Sequence, residues 1–308
     1  MFKKGKKISV LLIIMVLAVS LTACSGGSDE KNEIVLLEGQ FSEITILMNM
    51  AGILIEENTD LDVVYHDSMN TVAAANANKA GEVDLYVSYD GTMLTTILGS
   101  DPSELPEGED LYEWTKAKAS EEIGLTLTEK FGFQNTYAIA VQEDFATENN
   151  LVTTSDLVSY APKLVFGAEH EFFDEEGTMR FGPFNETYGM EWGDSKSIDM
   201  GLKFSAMDNN NIDVTMVYST DGLIKKSNLT ILEDDLKFFP QYYAAFQVRD
   251  TLFEEFAETA PNLEEILNSL AGLIDDKTMM EMNYAVDAEG KTPHEVAKAF
   301  LVENNLSE

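Results

Sequence analysis

The sequence predicts an α/β fold, and three observations predict it. Short apolar runs of strand length alternate with segments whose apolar residues recur at the 3.6-residue period of a helix. The chain has 308 residues and is 44 % hydrophobic, enough to bury a core. One strand pattern also occurs twice. Val83-Asp84-Leu85 leads to Tyr89 ahead of Asp90-Gly91, and Ile212-Asp213-Val214 leads to Tyr218 ahead of Asp221-Gly222. Ligands of open α/β sheets sit outside the carboxyl ends of strands. Two α/β lobes of this kind would bring both tyrosines to the cleft between them.

The elements follow in order. Ser25 to Asn32 is small and polar and reads as a tether. Ile34–Leu37 is a strand. Ser42 caps a helix whose Ile44, Leu47, Met48, Ala51, Leu54 and Ile55 share one face. Leu61–Tyr65 is a strand, and Thr71–Ala80 an Ala-rich helix stopped by Gly81. Val83–Tyr89 is a strand and Thr92–Leu98 a short helix. The acidic loop Asp101–Asp110 opens a helix expected to run to about Lys130. Thr136–Gln142 is a strand, Ser155 starts a short helix, and Lys163–Gly167 is a strand. Phe172–Gly193 reads as irregular and aromatic. A helix near Ser197–Met207 precedes the strand Asp213–Tyr218, and Leu229–Glu233 and Tyr242–Val248 are further strands. Thr292-Pro293-His294-Glu295 is a capping box with proline at the first helical position.

Charge narrows the function. With 55 Asp+Glu against 20 Lys+Arg, the net charge is −35, which argues against nucleic acid and against a polybasic hold on membranes. The single cysteine allows no intramolecular disulfide and no cysteine-based zinc site. Lys3, Lys4, Lys6 and Lys7 precede the apolar run Ile8 to Val19, the order of a secretory signal. The run ends Leu21-Thr22-Ala23-Cys24, which resembles a bacterial lipobox. Residues 1–23 then form a lipoprotein signal peptide, residues 24–33 a lipidated tether, and lipid on Cys24 an anchor that does not span the membrane. Removing residues 1–23 takes away four Lys and no acids, so −35 becomes −39.

Catalytic signatures are missing: there is no G-x-S-x-G, H-E-x-x-H, P-loop or G-x-G-x-x-G. His66 and His294 read as structural or surface residues. His170, between Glu169 and Glu171, is the one candidate for an anchored hydrolase. Tyrosines say more. A quaternary ammonium cannot donate hydrogen bonds, and each ring face it meets is worth about 0.5–2 kcal/mol. Tyr89, Tyr112, Tyr137 and Tyr218 stand at expected strand ends or cleft loops.

Six segments, in order, resemble one family. They are Phe41-Ser42-Glu43 with the helix after it, Tyr89-Asp90-Gly91-Thr92, Asn135-Thr136-Tyr137-Ala138, Phe166 to Phe173, Tyr218-Ser219-Thr220-Asp221-Gly222, and Phe238 to Ala245. The chain is similar to the substrate-binding lipoproteins of bacterial osmoprotectant ABC transporters for glycine betaine, carnitine and choline. The resemblance implies a two-lobed type II periplasmic-binding-protein fold with a ligand cleft between lobes. Residues 34–138 plus 242–308 would form lobe 1 and residues 139–241 lobe 2. It implies a four-tyrosine box for trimethylammonium, carried over by motif to Tyr89, Tyr137 and Tyr218 and by spacing to Tyr112.

The family's carboxylate contacts are a Gln at the start of the first helix and a Thr in the Tyr-x-Gly-Thr turn. Thr92 keeps the second, and Ile44 replaces the first without a donor. Asp90 places an acid where the family more often has Thr. Both departures point to choline-like cations over zwitterions, because a buried carboxylate short of a donor is penalised by roughly 1–3 kcal/mol. The implied protein is a monomeric, cofactor-free receptor. It faces the outside of the cell membrane and hands its ligand to a permease driven by an ATPase subunit. A ligand-sensing lipoprotein without transport is the alternative.

Overall fold

The computed structural model describes residues 31–173, 179–199 and 202–308. The signal peptide, Cys24 and the tether up to residue 30 lie outside the described residues. None of the described helices is long and apolar enough to cross a membrane.

Two sheets organise the chain. The first gathers β1 (Glu33–Leu37), β2 (Asp62–His66), β3 (Tyr86–Tyr89), β4 (Leu125–Leu127) and β10 (Ala244–Arg249). β1 and β2 pair in parallel, and β10 lies antiparallel between β3 and β4. A parallel bridge between Leu36 and Leu85 joins the two groups of strands. The second sheet has the order β7-β6-β8-β5-β9. Its strands are β5 (Tyr137–Gln142), β6 (Val165–Ala168), β7 (Asp194–Ser197), β8 (Val214–Tyr218) and β9 (Leu229–Leu232). β7, β6 and β8 are parallel, and β5 runs antiparallel between β8 and β9. This is the two-lobed type II binding-protein fold.

Both cores follow from residue pattern. Helix α1 (Ser42–Asn58) buries Ile46, Leu47, Met48, Met50, Ile53, Leu54 and Ile55. Each such side chain contributes about 1.5–3 kcal/mol on leaving water. The C-terminal helix α7 (Pro293–Glu303) packs on α1, and its capping box forms with Thr292 and Glu295 bonding reciprocally. Helix α2 (Thr71–Ala80) starts at Asn70, whose side chain accepts from Ala73 N–H, and stops at left-handed Gly81. In β5 the period of two is visible directly. Ile139 and Val141 join a layer with Phe166, Phe172 and Phe184, while Ala138 and Ala140 join one with Phe204 and Met207.

Four expectations differ. Helix α3 spans only Leu111–Ile123, because Gly124 takes φ 70° and releases the chain into β4 before residue 130. Phe181–Tyr188 forms helix α4 inside the stretch read as irregular. Asp194–Ser197 is an exposed edge strand, and helix α5 begins only at Lys203, ending at Asp208. Ser42 does not cap α1: Phe41 holds the cap position, and the Ser42 hydroxyl donates to Asp287 on helix α6 (Asp276–Asp287).

The repeated Asp has a structural cause. Asp84 and Asp213 each stand before an inner strand and do the same thing. Asp84 N–H donates to Val35 O at 2.7 Å, and its Oδ2 accepts from Val35 N–H at 2.8 Å. Asp213 N–H donates to Val165 O at 2.8 Å, and its Oδ2 accepts from Val165 N–H at 2.8 Å. Each aspartate clasps the neighbouring parallel strand and sets where its own strand, and the tyrosine ending it, emerges.

Candidate functional site

The two sheets meet where the chain passes between them. Gln134 bridges Tyr243, Asn135 N–H donates to Tyr242 O at 3.0 Å, and Thr136 Oγ1 donates to Pro240 O at 2.9 Å. Beside this paired crossing lies a cavity of about 670 Å³. One wall is Phe41 to Ile44 at the start of α1, the end of β3, Thr92 and Tyr242. The other is Tyr218 and Thr220 to Gly222, with Asn135, Asn283 and Asp287 between them.

Four tyrosines line this space: Tyr86, Tyr89, Tyr218 and Tyr242, the last three around its aromatic end. The Tyr89 and Tyr242 rings stack with centroids 5.4 Å apart. Tyr242 can lie there because Gly91 has no side chain; a Cβ at Gly91 would overlap the ring. The Tyr242 hydroxyl is 2.6 Å from Thr92 Oγ1. Tyr218 is held from behind by Tyr137, its direct partner across β5 and β8, with centroids 5.2 Å apart. Burial raises the phenol pKa of Tyr89, Tyr218 and Tyr242, so all three rings stay neutral.

Under the rings sits Glu43, 1 % exposed. It accepts from Tyr89 Oη at 2.6 Å and Asn135 Nδ2 at 3.0 Å through Oε1, and from Asn283 Nδ2 at 3.2 Å through Oε2. Burial raises its pKa, opposed by the hydrogen bonds from Thr220, Tyr89, Asn135 and Asn283. Asp221 and Asp287 add two more carboxylates to the lining, and among the described lining residues there is no Lys, Arg or His. Neutral aromatic faces over carboxylates make a site for a cation.

The site residues read from sequence divide. Tyr89, Tyr218, Thr92 and Ile44 line the cavity; Tyr112, Asp90 and Tyr137 do not. Tyr112 is wholly buried against Met93, Leu125 and Leu127 and donates to Thr128 O at 2.5 Å. It faces the first sheet's own core, and Tyr242 occupies the place beside Tyr89. Asp90 is fully buried and turned to backbone, accepting from Gly91 N–H and Tyr243 N–H. Tyr137 backs Tyr218 among Phe172 and Phe239. Sequence reasoning missed the roles of Glu43, Asn135, Tyr242 and Asn283. Glu43 and Tyr242 both lie in segments that carry the resemblance, but only tertiary pairing turns them toward the cleft. His170 is exposed at the start of the short 3-10 helix His170–Phe173.

The family described as the substrate binding domain of the ABC-type glycine betaine transport system matches residues 32–303. The carnitine transport binding protein OpuCC of Listeria monocytogenes is 33 % identical over 303 residues, covering 97 % of this chain and 96 % of that protein. A glycine-betaine-binding protein of Pseudomonas aeruginosa is 31 % identical, covering 86 % of each. Among solved structures, a glycine betaine/carnitine/choline ABC transporter protein superposes with TM-score 0.82 at 28 % identity, covering 90 % of this chain and 99 % of that one.

Proposed function

This chain belongs to the substrate-binding family of ABC-type glycine betaine transport systems, and on that premise we propose that it captures a quaternary ammonium solute between Tyr89, Tyr218 and Tyr242. The observation that carries the reading is the lining itself: neutral tyrosine faces from both lobes, a buried carboxylate beneath them and no basic group among the described lining residues. Each desolvated ring offers about 0.5–2 kcal/mol to a trimethylammonium head. The relatives bind carnitine or glycine betaine, which carry such a head.

Choline is the favoured ligand in this reading. Ile44 gives a ligand carboxylate no side-chain donor, and Glu43, Asp221 and Asp287 oppose one. Asp90 does not enter, since its carboxylate is turned away from the cavity. Ligand binding would draw the lobes together about the paired crossing segments, and the closed form would dock on a membrane permease served by an ATPase. Cys24, diacylated, would keep the receptor at the outer face of the cell membrane; metabolic labelling with a fatty acid, lost in Cys24→Ser, tests that anchor.

Calorimetric titration with choline, glycine betaine and carnitine tests the ligand. Saturable binding, tightest for choline, is expected. Tight betaine binding without a choline response would remove the preference, and silence for all three would remove the ligand class.

A further inference from the structure

One buried group has no obvious structural need for its charge. Glu43 sits at the second position of α1, and its carboxylate is enclosed by donors from four other parts of the chain. They are Tyr89 at the end of β3, Asn135 in the crossing segment, Asn283 on α6, and the hydroxyl of Thr220 after β8. Asn283 Nδ2 also donates to Thr220 O at 2.9 Å, so the same amide reaches from the carboxylate to the second lobe. The titratable groups that share the cavity with it are Tyr86 and Tyr89 on β3, Tyr218 at the end of β8, Asp221 after it, Tyr242 before β10 and Asp287 on α6. Among the described residues, no Lys, Arg or His forms an ion pair with it. A buried carboxylate with dipoles around it and no counter-ion awaits a cation.

We propose that Glu43 supplies the counter-charge for the ligand's cationic head and positions the Tyr89 ring that faces it. This rests on the quaternary ammonium reading above. A cation entering the cavity meets the Tyr89 face, and the hydroxyl of that ring is anchored on Glu43. Ring orientation and negative charge therefore arrive together. The hydrogen bonds can hold Tyr89 whether Glu43 is ionised or protonated, but the counter-charge exists only in the ionised form. Burial lifts the Glu43 pKa above 4.5 in the free protein, and a bound cation pulls it back down. Binding then releases protons in the acid range, and affinity weakens as pH falls through the Glu43 pKa of the free protein.

The test compares choline with its neutral isostere, in which a tert-butyl group replaces the trimethylammonium. Both fill the same space, and only one is charged. In Glu43→Gln, choline affinity should fall about tenfold or more while the isostere changes much less. The wild type gives a second readout independent of folding in the variant. Choline titrations from pH 4.5 upward, in buffers of different ionisation heat, should show proton uptake by the buffer that fades toward neutral pH and is absent in Glu43→Gln. Equal losses for choline and the isostere, or no proton release from the wild type, would overturn the proposal and leave Glu43 a structural group. If the wild type bound none of choline, betaine and carnitine, the ligand reading would fall first and this inference with it.

Discussion

The two lobes carry the same device with opposite supports. In each, an aspartate clasps the neighbouring parallel strand, a strand ends in a tyrosine, and an Asp-Gly turn follows. In the first lobe Tyr89 is tied to a carboxylate, Glu43. In the second, Tyr218 lies 5.2 Å from the ammonium of Lys203, itself fully buried and paired with Glu169 at 2.7 Å. Both turn glycines permit a close approach: Gly91 admits the Tyr242 ring and Gly222 admits the backbone of α6 at Tyr284. The shared frame delivers two tyrosines to one cleft, and only the first lobe ties its tyrosine directly to a carboxylate.

The two lobes should differ most at these buried supports. Lys203→Met leaves Glu169 buried without a partner and should cost about 3–5 kcal/mol of stability, read by denaturant unfolding. Lys203→Met combined with Glu169→Gln should recover most of that loss.

Next in size is a pH effect in the first lobe's turn. Burial pushes Asp90 from 3.8 up to about 7. Because its folded pKa is raised, its contribution is fully present below the unfolded value of 3.8 and is lost as pH rises through about 7. The wild type should therefore lose about 2–3 kcal/mol between pH 5 and pH 8 through this group. In Asp90→Asn that dependence should flatten, since an amide oxygen can still accept from Gly91 and Tyr243. Thermal unfolding of both proteins across this range checks it.

The smallest contrast lies in the clasps. Asp84 also pairs with Arg249 at 2.8 Å and with Lys31 at 2.7 Å, whereas Asp213 makes no ion pair among the described residues. Asp84→Asn should cost about 2 kcal/mol and Asp213→Asn about 1 kcal/mol, measured by unfolding at neutral pH. Equal costs would mean that the added pairs contribute nothing.

The sequence made the strands that end at the cleft legible because they are apolar runs closed by a tyrosine and an Asp-Gly turn. Tyr89 and Tyr218 were therefore readable. Tyr242 was not, because it precedes an antiparallel strand, and only the pairing of β10 with β3 brings it to Tyr89. Asp194–Ser197 has no apolar residue to mark it; its partner β6 alone makes it a strand. The Gly182-Pro183 pair masked α4, since it reads as a turn while proline is tolerated in a first helical turn. Glu43 was visible as a letter in a motif, but its charge gains meaning only from burial.

A ligand held between the lobes by Tyr89 on one side and Tyr218 on the other needs both rings. Calorimetric titration of Tyr218→Ala with choline tests it most directly, because Tyr218 lines the cleft from the second lobe while Glu43 and Tyr89 stay intact. Affinity should fall by about tenfold or more, with unfolding that remains cooperative. Wild-type affinity in that variant would contradict it.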